Sequence, residues 1–93
     1  MFVVADPWGA KFESEEAFNE WRDQSVQELI DSVKLYVELT GHKFENWKLL
    51  ERSMRRALER IKHVPITAAV RIMAGLKARP EKIIYDIEMI ENP

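Results

Sequence analysis

Residues 14–62 read SEEAFNEWRDQSVQELIDSVKLYVELTGHKFENWKLLERSMRRALERIK, and the periodicity of this stretch decides the fold. In its first part Phe18, Trp21, Val26, Leu29, Ile30, Val33, Tyr36 and Val37 recur at three- and four-residue steps, the repeat of one helix face. Glu20, Asp23, Glu28, Asp31 and Glu38 fall largely on the other side. Ser14, followed by Glu15 and Glu16, predicts the start. A serine oxygen accepts an amide that the first turn leaves unbonded, and early acids suit the positive end of the helix dipole. Thr40-Gly41-His42 predicts the stop, with Gly41 in the left-handed conformation. The helix so defined runs to Leu39, about 26 residues and roughly 39 Å. A second helix is expected from near Glu45-Asn46 to about Lys62, with Trp47, Leu50, Met54, Ala57, Leu58 and Ile61 in one stripe. So short a connection predicts an antiparallel hairpin.

Downstream, Val64-Pro65 closes the second helix, because a residue before proline avoids helical geometry. Thr67 is the expected cap of a third helix over residues 68–78. Ala68, Ala69, Val70, Ile72, Met73, Ala74 and Leu76 leave Arg71 as the one charge between Ile66 and Leu76, so this helix is expected to be central and buried. Gly75 either lets a neighbour approach or begins the helix end. Arg79-Pro80-Glu81 reads as a fresh helix start, with proline at the first position and an acid in the first turn. Ile83, Ile84, Ile87 and Ile90 then share a helix face, although Ile83, Tyr85, Ile87 and Met89 also alternate as in a strand, which could pair with Phe2–Ala5. Upstream, Phe2–Ala5 is read as extended or irregular, Asp6-Pro7-Trp8-Gly9 as a turn, and Trp8 as a lid on a helix. The expectation is therefore one all-α domain over residues 1–93. It is a small bundle of three to four helices: a long antiparallel helical hairpin, a buried third helix and a short C-terminal helix after an N-terminal extended segment.

Bulk properties agree with a folded domain. Ninety-three residues, 46% apolar and 32% charged, form a modest core without staples. Absence of cysteine excludes disulfides, thiolate nucleophiles and zinc–thiolate sites. The apolar run Met1–Ala5 is cut by Asp6 and Pro7, too short for a leader or a membrane span, and a cytoplasmic setting is the expectation.

Charge is distributed unevenly. Residues 43–79 hold ten basic and three acidic groups, a net +7. Residues 1–42 carry three basic and nine acidic groups, and residues 80–93 one and four, which returns the overall −2. Lys48, Arg52, Arg55, Arg56 and Arg60 crowd the polar side of the second helix, and Arg52, Arg56 and Arg60 are successive i, i+4 neighbours. Like charges at that spacing oppose helix formation by a few tenths of a kcal/mol each. Such a ridge can neutralise backbone phosphates without reading bases, with Arg71, Lys77 and Arg79 assisting. The competing expectation is internal: the acidic first helix lies beside the basic second one, and the charges pair across the hairpin, at about 0–1 kcal/mol per exposed pair.

Other chemistry has less behind it. Glu38/His42 and Glu59/His63 are carboxylate–histidine pairs four apart, but bundle metal sites use a spacing of three and further inward carboxylates, so no metal or other cofactor is expected. Glu16, Glu20 and Asp23 share a face expected to be wet, where a catalytic carboxylate would lack a shifted pKa. Serines 14, 25, 32 and 53 have no nucleophile-elbow context, and three scattered glycines make no phosphate loop. Residues 67–75, Thr-Ala-Ala-Val-Arg-x-x-Ala-Gly, loosely resemble the helix-turn-helix of phage small terminase subunits, with one extra residue before the glycine, a departure that keeps the likeness from being taken as membership. The helix that would read DNA in that arrangement carries Glu81, Asp86, Glu88 and Glu91 against Lys82, and phosphate repels it.

Two function classes follow. One is a non-enzymatic regulatory protein that grips nucleic acid or another polyanion with Lys48, Arg52, Arg55, Arg56, Arg60, Arg71, Lys77 and Arg79. The other is a protein-interaction module, an adaptor or inhibitor that docks through helices. Leu35 and Leu39 off the main face of the first helix, and Tyr85 with Met89 on the last, leave more apolar surface than short helices cover, which predicts a homodimer or a groove for another protein's helix.

Overall fold

The computed structural model describes residues 11–91 and builds them into four helices: α1 (Glu15–Thr40), α2 (Trp47–Glu59), α3 (Ile66–Lys77) and α4 (Pro80–Glu91). It is a small all-α bundle with no strand among the described residues. The expected extended segment Phe2–Ala5 and the Trp8 lid lie outside the described residues.

Both ends of α1 form as its sequence dictates. Ser14 is extended (φ −154°, ψ 164°), and its Oγ accepts the Ala17 amide at 3.0 Å. Gly41 takes φ 71°, ψ 12°, and its amide donates to the Val37 carbonyl at 2.9 Å. That left-handed geometry suits a residue without Cβ. Residues 41–46 then return the chain. Along the hairpin, Glu15 meets Lys62 at 3.5 Å, Arg22 meets Glu59 at 2.7 Å, Asp23 meets Arg55, and Lys34 Nζ lies 6.0 Å from the Trp47 ring centroid. Rising numbers on α1 match falling numbers on α2, so the pair is antiparallel.

The core sits between α1, α2 and α4. Val26, Leu29 and Val33 face Leu50, Met54 and Leu58 of α2 and Ile83, Ile84 and Ile87 of α4, with Phe44 at one end of the cluster. Each fully buried Leu or Ile contributes roughly 1.5–3 kcal/mol of burial free energy. At the start of α1, Phe12 stacks on Phe18 (5.3 Å, edge-on) and Trp21 (5.2 Å). Burial of Ile83, Ile84 and Ile87 beside exposed Tyr85 and Met89 follows the 3.6 repeat, so helix wins over the alternating strand reading of α4.

Three local expectations need correction. Thr67 does not cap α3: Pro65 (φ −58°, ψ 150°) precedes Ile66 as the first helical residue, and its carbonyl accepts the Ala69 amide at 3.0 Å. Residues 60–64 are not a continuation of α2 but tightened i→i−3 turns, Ile61 to Leu58 at 3.1 Å and Val64 to Ile61 at 3.1 Å, which lead into the proline. The third correction concerns burial. α3 buries one edge, Ala69 and Met73, against α1 and α4, while Val70 is 52% and Ile72 40% exposed. Its Cα atoms stay more than 8 Å from those of α2. Ala68, Ala74 and Gly75 offer little apolar area, so larger side chains from α4 take the central position instead. Gly75 lies within the helix, not at a turn, and a Cβ built there meets nothing within 4 Å.

Candidate functional site

The polar surface of α2 divides into two rows. One faces the seam with α1. Arg55 donates to Asp23 and, at 3.3 Å, to Glu51 one turn earlier. Arg22 donates to Glu59 at 2.7 Å and to Asp23 at 3.3 Å, and Lys62 meets Glu15 and Glu59. The Arg55 hydrogen bond holds the Asp23 carboxyl below its ordinary value, Arg22 adds to this and desolvation opposes it. The Asp23 bond in turn raises the Arg55 guanidinium. Here the acidic first helix does neutralise the basic second one.

The other row faces outward. Lys48, Arg52, Arg56 and Arg60 follow one another at i, i+4 steps and are all exposed. At 100° per residue, Arg52 and Arg56 lie opposite the buried Leu50–Met54–Leu58 line. Among the described residues no carboxylate comes within 4.0 Å of any of the four. Twelve residues of rise make the row roughly 18 Å long, the axial length of about five phosphates of one B-form strand. Lys34 of α1, not a residue the sequence pattern singled out, lies over Trp47 next to Lys48, at the head of the row. Only its position in space reveals it.

The other expected cations are placed elsewhere. Lys77 is ion-paired with Glu28 of α1. Arg71 and Arg79 are exposed and without an ion-pair partner among the described residues, but they belong to α3 and the turn after it, not to α2. The eight residues therefore divide into a row of four along α2 and its C-cap Arg60, two cations held in pairs, and two elsewhere on α3 and the turn after it.

Two carboxylate–histidine candidates lie in ordinary surface surroundings. His42 Nε2 lies 2.7 Å from Glu88 Oε1, joining the end of α1 to α4, and Glu59 is taken by Arg22 and Lys62. Among the described residues no three His, Asp or Glu side chains gather where they could hold a metal ion. Asp23 is depressed by its cations, opposite to the shift a general acid at neutral pH requires. No described helix is long and apolar enough to cross a membrane. No protein-family model matches the chain, and no curated protein or solved structure is significantly similar to it.

Proposed function

We propose that this chain is a non-enzymatic regulatory protein of the cytoplasm that binds the phosphate backbone of nucleic acid through Lys48, Arg52, Arg56 and Arg60. One observation carries the reading: on a single helix Arg55 is matched with carboxylates, while the adjoining row is left with like charges one turn apart. A surface selected for helix stability alone would alternate signs there, and local rules are broken most often at functional sites. The row is solvent-facing and winds about 120° around the helix over its length, so it meets a charged backbone without selecting a sequence.

A second reading has its own observation. Leu35, Leu39, Tyr85, Met89 and Ile90 are all exposed, Leu39 to 77%. An apolar surface of that extent around α1 and α4 favours a protein-docking module, with a second copy as the simplest partner.

The test compares variants on the two rows. A short DNA duplex, the matching single strand and polyglutamate are titrated against wild type, Arg52→Ala/Arg56→Ala and Arg71→Ala/Arg79→Ala. The expected result is duplex binding that the α2 double variant weakens at least tenfold and the α3 variant leaves nearly unchanged. Binding that the two variants weaken alike, or that polyglutamate matches, would overturn the proposal.

A further inference from the structure

We infer that the groove between α3 and α4 receives the outer flank of α1 from a second copy of this chain. This deepens the docking reading and rests on it, not on the basic row of α2. The groove has a volume of about 310 Å³ and a floor of Ile72, Gly75, Leu76 and Ile83. Arg79, Lys82 and Asp86 complete its lining, and Arg71 lies one helical turn before Gly75 on α3. Arg71 and Arg79 have no carboxylate within ion-pair distance among the described residues, and Lys82 has Asp86 at 3.4 Å. The missing Cβ of Gly75 leaves open space through which a neighbouring helix can approach closely.

The site therefore suits an apolar helix flanked by acids, and the chain itself carries one. Asp31, Leu35, Glu38 and Leu39 lie at i, i+4, i+7 and i+8 on α1, hence on one face. All four are exposed, and Leu35 is 56% accessible. Glu38 has no ion-pair partner among the described residues, and Asp31 accepts only a hydrogen bond from Gln27 at 3.0 Å. Leucines over the apolar floor, with Asp31 and Glu38 toward Arg71 and Arg79, match apolar to apolar and acid to base. Each copy presents both surfaces. A two-fold arrangement closes with two such contacts, whereas other arrangements give larger rings or open chains.

Sedimentation of the full chain over a range of concentrations tests this. Wild type is expected to associate. Leu35→Ser/Leu39→Ser, on an exposed face, is expected to be monomeric. Gly75→Gln fills the floor of the groove without strain, so it is expected to raise the urea midpoint and yet abolish association. Asp31→Arg/Glu38→Arg and Arg71→Glu/Arg79→Glu should each be monomeric alone and associate when mixed one to one. A wild-type chain that stays monomeric throughout, association indifferent to Gly75→Gln, or swapped variants that fail to associate on mixing would each overturn the inference. So would a monomer that takes up a synthetic acidic amphipathic peptide in this groove. Duplex binding by the same variants reads the α2 row separately, because none of the substituted residues belongs to α2.

Discussion

Arg52→Gln should make the protein more stable while weakening its grip on nucleic acid. Arg52 has Lys48 one turn before it and Arg56 one turn after, all exposed, with no acid within ion-pair distance among the described residues. Two like-charge neighbours at i, i+4 cost about 0.2–0.5 kcal/mol each, so their removal returns about 0.4–1 kcal/mol. Glutamine and arginine have nearly the same helix propensity, so the backbone term roughly cancels. For a domain of this size the gain corresponds to a rise in Tm of roughly 2–8 °C. Because the repulsion is between solvated charges, it should vanish near 1 M salt, where the screening length falls to about 3 Å. Urea denaturation at low and high salt, with duplex binding measured on the same samples, checks both halves. If Arg52→Gln destabilises the protein at low salt, Arg52 holds a favourable contact and the reasoning about the row is refuted.

Three further expectations concern the scaffold. Asp23→Asn should flatten the acid limb of the stability profile: the folded-state pKa of Asp23 lies below its ordinary 3.8, so its contribution is present above that value and is lost as pH falls through the folded value, as denaturation from neutral to acid pH will show. Leu29→Ala, at a fully buried site where α1 meets the rest of the core, should cost about 2–5 kcal/mol in urea denaturation, a large part of the stability of a small domain. Gly41→Ala should cost about 1–2 kcal/mol in the same measurement, because φ of 71° is a left-handed conformation that disfavours a Cβ.

The helices were legible because their signals are local. Ser14, Gly41 and Pro80 mark their ends through backbone chemistry that acts within a few residues, and the 3.6 repeat of the isoleucines in α4 outweighs the weaker alternation once burial decides which face is wet. The burial of α3 was not legible. Apolar composition says that a helix can be buried, but the choice of central helix depends on which side chains fill space, and alanines and Gly75 lose to Ile83, Ile84 and Ile87. The division of the α2 cations was half legible. Spacing shows that Arg52, Arg56 and Arg60 repeat, but only the rotation of α2 against α1 determines that Arg55 meets Asp23 while its neighbours meet solvent. Lys77 illustrates the same limit, since its partner Glu28 is remote in sequence.

The most direct test of the basic row is the salt dependence of duplex affinity. Each phosphate neutralised contributes about −0.9 to the slope of log K against log salt, so four cations predict roughly −3.6, and Arg52→Ala/Arg56→Ala should reduce this to about −1.8. No measurable binding at low salt, or a slope that the double substitution leaves unchanged, would contradict a phosphate-binding role for α2.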